Sequence, residues 1–188
     1  MLKESKKCVY PVSEKWKYKN TNIPNTFIFE NNIQCITLYY QPVIYDSDRR
    51  KINGLGLYRN NTVSLNYDTD CERKGRYYVP DFVIKTEKDG ASKYIICDAK
   101  FSALSTIKNY YLSNLTFKYL FSISTSDKND VIAGLCIIYG QCTADEQMKT
   151  IYDKQLNGQN IFPFAETLPI IECNDINQQF KSIIKLIR

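Results

Sequence analysis

The stretch Tyr94-Ile95-Ile96-Cys97-Asp98-Ala99-Lys100-Phe101 decides how this chain folds. It has the apolar and aromatic content of a buried strand, yet it carries a carboxylate and an ammonium two residues apart. Side chains alternate faces along a strand, so Asp98 and Lys100 emerge together while Cys97, Ala99 and Phe101 turn the other way. Upstream, Tyr77-Tyr78-Val79-Pro80-Asp81-Phe82-Val83-Ile84 reads as a second strand interrupted by one charge. Between them lies Asp89-Gly90, a tight-turn pair because both residues tolerate positive φ. The hairpin this predicts brings Asp81 toward Asp98 and Lys100. Two acids and a lysine inside core-forming strands are costly to bury unless something pairs them, and a divalent cation would do so.

At 188 residues, 44% apolar and 13% aromatic, the chain can bury one substantial core, and a single domain is expected. Its formal charge of +5 favours a polyanionic partner. The lysine-rich opening and the clusters Arg49-Arg50-Lys51 and Arg73-Lys74 read first as solvated surface. Seven cysteines, several inside apolar runs and none in a Cys-x-x-Cys pair, predict buried reduced thiols in a cytoplasmic protein. Histidine is absent, which excludes Ser-His, Cys-His and His-zinc chemistries and leaves oxygen as the main ligand of any catalytic metal. The opening lacks an apolar leader, and the longest apolar run, residues 131–139, is far short of the roughly 20 residues a membrane helix needs. No membrane partner is expected.

Outward from the hairpin, Pro24-Asn25-Thr26 predicts a helix start, followed by Phe29, Ile33, Ile36 and Tyr40 at helical spacing and a stop near Pro42. The Phe27-Ile28-Phe29 run also fits a strand; in the helical reading Glu30 sits in the first turn. Residues 55–58 and 62–67 alternate like strands. Beyond Phe101, the residues Leu104, Ile107, Tyr111, Leu115 and Tyr119 form the inner stripe of an amphipathic helix. Ser105, Asn109, Ser113 and Thr116 fall on its polar side, and Lys108 and Lys118 read as solvated. Residues 127–130 are a turn cluster, and 131–139 are apolar on both faces, as a central strand is. A further strand within 162–171 and a last helix from Asp175, with Ile176, Phe180, Ile183 and Ile187 inward, complete the chain.

The pattern acid-x-Lys is weak by itself and occurs three times, at Glu4-Ser5-Lys6, Glu72-Arg73-Lys74 and Asp98-Ala99-Lys100. The first two lie in charge-rich sequence where solvated side chains suffice. Only the third lies in a buried-type strand beside a partner carrying Pro80-Asp81, and proline is tolerated in sheets chiefly at bulges and edges. A helix with Glu30, strands carrying Pro80-Asp81 and Asp98-Ala99-Lys100, an amphipathic helix and an apolar strand together resemble the PD-(D/E)XK nuclease superfamily. The resemblance covers about residues 26–140, and within the superfamily it is nearest to McrC-type and related nuclease domains of restriction and antiphage defence systems.

That resemblance implies an α/β fold of restriction-endonuclease type: a central mixed β-sheet flanked by helices, order αβββαβ, with residues 141–188 as a strand-and-helix extension. It implies a Mg²⁺- or Mn²⁺-dependent endonuclease cleaving DNA, with Asp81 and Asp98 holding the metal. By the same resemblance the main-chain carbonyl of Ala99 is a further ligand and Glu30 joins directly or through water. Lys100 would orient or deprotonate the attacking water, or stabilise the developing charge. The alternatives are the same fold acting on RNA or in DNA repair, or a non-catalytic nucleic-acid-binding or assembly subunit. The bland readings are a plain ion pair for the acids with Lys100 and a surface acid for Glu30. No Gly-x-x-x-x-Gly-Lys-Ser/Thr loop occurs, so a nucleotide-driven step would need a separate NTPase or sensor subunit. A homodimer is left open.

Overall fold

Asp89 and Gly90 both adopt left-handed backbone, at φ 53° and 80°, and close the predicted hairpin. In this computed structural model the described residues are 3–8, 25–30, 32–45, 55–60, 77–141, 149–150 and 164–169. Eight strands precede the one helical run: β1 (Lys3–Cys8), β2 (Thr26–Glu30), β3 (Cys35–Tyr40), β4 (Ile44–Tyr45), β5 (Leu57–Arg59), β6 (Tyr77–Tyr78), β7 (Phe82–Lys88) and β8 (Ala91–Ala103). The run itself, α1, covers residues 104–121. After it come β9 (Ile123–Thr125), β10 (Val131–Gln141), β11 (Lys149–Thr150) and β12 (Phe164–Pro169).

Eight strands form one mixed sheet in the order β1-β2-β3-β7-β8-β10-β12-β11. Its first five strands are antiparallel neighbours, β8, β10 and β12 run parallel, and β11 is antiparallel to β12. A parallel β8–β10 pair needs a crossover, and α1 supplies it. The protein is therefore mixed α/β, with a central mixed sheet and one helix among the described residues. On the face that α1 covers, Val83, Tyr94, Ile96, Leu135, Ile137 and Tyr139 pack against Leu104, Ile107, Leu115 and Tyr119. The opposite face buries Ile95, Cys97, Ala133 and Cys136. So β8 and β10 are apolar on both sides, as central strands are. Cys97 and Cys136, buried in that layer, are not joined in a disulfide. None of the described helices is long and apolar enough to cross a membrane.

The expected helix over residues 26–40 is instead the hairpin β2–β3, so the order αβββαβ loses its first helix and the sheet is flanked on one face only among the described residues. The helical spacing of Phe29, Ile33, Ile36 and Tyr40 was coincidental. Thr26-Phe27-Ile28-Phe29 and Ile36-Thr37 are β-branched and aromatic, and β3 pairs along its full length with β7, from Cys35–Glu87 to Tyr40–Phe82. The stretch 77–84 is also two pieces. Tyr77–Tyr78 pairs with Ile44–Tyr45, and the chain breaks at Val79-Pro80-Asp81 before β7 begins. The strand at 162–171 appears as β12, while the expected strand 62–67 and the helix from Asp175 lie outside the described residues.

Helix α1 departs from a regular α-helix in two places. Residues Ile107–Tyr111 and Phe117–Phe121 form wide π-type turns, marked by the bonds Leu112 N–H to Ile107 O and Ser122 N–H to Phe117 O. The first wide turn inserts one residue into the stripe. Leu112 packs against the core where Tyr111 was expected, and Tyr111 is displaced outward. Thr116, expected on the polar side, is buried for the same reason. Such turns cost regular hydrogen bonding and concentrate at functional sites.

Candidate functional site

The β7–β8 ladder stops at the pair Phe82–Cys97, because Pro80 has no N–H to offer and the chain bends at Asp81. Continued by one residue, the same register sets Asp81 opposite Asp98. There a side chain replaces the ladder: Asp81 Oδ2 accepts the Ala99 N–H at 2.6 Å. The Asp81 carbonyl accepts the Gln41 N–H at 2.8 Å. Gln41 stands at φ 46°, an unusual conformation for a residue other than glycine, which places strained backbone beside this cluster.

Asp98 is only 4% exposed, on the face covered by α1. Its Oδ1 accepts a hydrogen bond from Lys100 Nζ, and its Oδ2 accepts one from the Tyr119 hydroxyl at 2.9 Å. Lys100 Nζ also donates to the Ala99 carbonyl at 3.2 Å and lies 5.8 Å from the centre of the Tyr111 ring. One carboxylate oxygen, one main-chain carbonyl and one aromatic face thus converge on a single cation. Tyr111 reaches this position because the first wide turn of α1 pushes it out of the core.

The second wide turn delivers Tyr119 and Lys118. Tyr119 is fully buried. Burial, and after it the charge of Asp98 and the hydrogen bond to it, holds its phenol well above the ordinary range. The hydroxyl therefore stays a donor to the carboxylate. Lys118 Nζ lies over the rings of Tyr119 and Tyr78, at 4.6 and 5.4 Å from their centres. Burial pulls its pKa below the usual lysine value, Asp98 and Asp81 oppose that pull, and Lys100 adds to it. All three charged groups of the cluster are thus felt at Lys118.

The structure brings Asp81, Asp98, Ala99 and Lys100 together, and it does not bring Glu30 to them. Glu30 ends β2 opposite Cys35, whose partner on β7 is Glu87. Asp81 stands at the other end of that strand, roughly 20 Å away at about 3.4 Å per residue. Glu30 is exposed and lines an open pocket of about 320 Å³ with Asn32, Glu87, Lys88 and Asp89. Without a helix its carboxylate has no first turn to occupy.

Sequence reasoning left Lys118 in solvent and gave Tyr119 only a packing role. The available signal was a tyrosine in a buried stripe, whose hydroxyl must find a partner. Only the crossing of α1 over β8 shows that the partner is Asp98.

No three His, Cys, Asp or Glu side chains form a ready-made metal cage among the described residues. What the cluster offers is two carboxylates and the Ala99 carbonyl, all hard oxygen donors of the kind Mg²⁺ and Mn²⁺ take. Two of the three donor groups already coordinate a cation, the Lys100 ammonium, so the donor set fits a small cation at this point. No protein-family model matches the sequence, and no curated protein is significantly similar to it.

Proposed function

We propose that this protein is a metal-dependent endonuclease of PD-(D/E)XK type, hydrolysing DNA phosphodiester bonds as the effector of a restriction or antiphage system. The observation that carries the proposal is the convergence of Asp98 Oδ1 and the Ala99 carbonyl on the Lys100 ammonium, with Asp81 set opposite Asp98. Asp81, Asp98 and the Ala99 carbonyl would hold Mg²⁺ or Mn²⁺, with their remaining positions open to water and phosphate. Bound there, the ion would neutralise the scissile phosphate and make a water nucleophilic near neutral pH.

The residues of the chain do the rest. Tyr119 fixes one oxygen of Asp98, so the carboxylate presents the other in a set direction. The bond from Ala99 N–H fixes one oxygen of Asp81 in the same way. Lys100, released from Asp98 by a competing cation, stays within one pleat of it. From there its ammonium orients the attacking water and neutralises charge developing on the phosphoryl oxygens. Any nucleotide-driven step belongs to a separate NTPase or sensor subunit.

The test compares wild type with Asp98→Ala on supercoiled plasmid in Mg²⁺ and in Mn²⁺, with single-stranded DNA and RNA as parallel substrates. Metal-dependent nicking by wild type alone is expected. Equal nicking by both proteins, or none by either on any substrate, would leave Asp98 and Lys100 as a structural ion pair.

A further inference from the structure

Lys118 feels the charges of Asp98 and Asp81 but makes no close ion pair with any described residue. It is half-buried, with two tyrosine rings beneath it. Among the described residues the close ion pairs are Lys85–Glu87 and Lys100–Asp98, and neither involves Lys118. Burying a lysine in this way costs free energy unless its charge is used, and a lysine released to solvent would avoid that cost. The Arg59 guanidinium also leans on the Tyr78 ring, 4.9 Å from its centre. The Arg59 Nε is buried with no hydrogen-bond partner among the described residues. Two cations therefore share one aromatic ring, with Lys118 within the field of the two carboxylates, and each has donors to spare.

We infer that Lys118 and Arg59, which share the Tyr78 ring, are a phosphate-binding pair that grips the substrate backbone next to the carboxylate cluster. The inference rests on the nuclease reading and deepens it by naming residues that touch the substrate. The ligand class follows from the donors. An ammonium offers a point charge, and a guanidinium offers a planar fork that matches two phosphate oxygens. A carboxylate ligand would meet the same cations, so the choice of a phosphodiester over a carboxylate rests on the nuclease reading, in which a metal held by Asp81 and Asp98 offsets their field. The rings fix the height of Lys118, so its charge is placed before the substrate arrives. Lys118 and Tyr119, adjacent within the wide turn Phe117–Phe121, both lie beside this cluster.

Lys118→Met keeps the stem and removes the charge, and Lys118→Arg restores it; Arg59→Gln tests the second cation. Binding of a labelled duplex oligonucleotide would be measured in Ca²⁺ across a salt series, and cleavage of the same duplex in Mg²⁺. For Lys118→Met the expected result is dissociation constant and KM both raised about tenfold, kcat within about threefold, and a salt slope smaller by about one. Lys118→Arg should recover most of the affinity, and the melting temperature of Lys118→Met should be unchanged or higher. Arg59→Gln should weaken binding in the same direction.

If wild type cuts and Lys118→Met matches it in affinity, KM and salt slope, the inference is overturned while the nuclease reading stands. If wild type binds through Lys118 without cutting, the phosphate grip stands and the nuclease reading falls. If wild type neither binds nor cuts, both fall.

Discussion

Tyr119→Phe removes a single oxygen from the fold and keeps the ring that packs against Leu104, Ile107 and Tyr139. The hydroxyl lost donates to Asp98 Oδ2 at 2.9 Å, with no exposed surface on the tyrosine and 4% on the aspartate. A hydrogen bond to a charged group contributes about 1.5–3 kcal/mol. Water has little access to replace it here, so about 2 kcal/mol is expected. With a urea m-value of about 2 kcal/mol/M, the unfolding midpoint should fall by about 1 M with the slope unchanged. The same change frees the Asp98 carboxylate to rotate, and the Mg²⁺ dependence or rate of cleavage should worsen about 10- to 100-fold, the usual cost of losing a residue that orients a ligand. A midpoint within about 0.2 M of wild type, together with an unchanged Mg²⁺ dependence, would refute the claim that this phenol holds the carboxylate. Alkaline titration gives a second readout. The phenol is raised above its ordinary value of 10.0 by burial first, so above that pH the unfolded chain releases a proton that the folded protein keeps. Its contribution to stability is full below pH 10 and declines as pH rises, and the Phe variant should lose that part of the slope.

Asp130→Ala strips the partner from the Ser92 N–H at 2.7 Å and from the Tyr94 hydroxyl at 3.3 Å, both in buried residues at the start of β8. Stability should fall by about 2–3 kcal/mol in urea unfolding, while activity per folded molecule stays at wild type; a loss of turnover in fully folded protein would contradict the placement of Asp130 outside the site. Glu30→Gln should leave Mg²⁺-dependent cleavage within about twofold of wild type, since roughly 20 Å of strand separates Glu30 from Asp81. A collapse of activity in that variant would show that Glu30 reaches the cluster after all.

The parts of the fold that were legible in the sequence are those with a local cause. Asp89-Gly90 fixes the β7–β8 turn by its own backbone preference, and the period of two in β8 puts Asp98 and Lys100 on one face without reference to anything distant. Pro80 marks the ladder's end for the same reason. Residues 26–40 were misread because Phe29, Ile33, Ile36 and Tyr40 match a helical stripe, while the pairing that makes them strands is with β7, far along the chain. Here tertiary pairing overrides a weak local pattern. Tyr111 and Leu112 failed for a subtler reason. A period of 3.6 assigns Tyr111 inward, and nothing in the residues announces the extra amino acid that the wide turn absorbs.

That extra residue bears on the chemistry as well as on the packing. Tyr111, displaced from the core in the first wide turn, sets its ring beside the Lys100 ammonium, and the second wide turn carries both Lys118 and Tyr119 to the carboxylates. As folded, two carboxylates, Asp81 and Asp98, face two ammoniums, Lys100 and Lys118. The charges of these four groups cancel with no ligand present, although Lys118 makes no close ion pair with either carboxylate. A divalent cation taken up by the carboxylates would upset that balance in the positive direction, displacing Lys100 and leaving an excess that only an anion relieves. A phosphodiester is such an anion, and its arrival in turn lowers the cost of holding the cation beside two lysines. Metal and nucleic acid would then each raise the other's affinity by the same factor, as linkage requires. A structural ion pair offers no reason for that coupling.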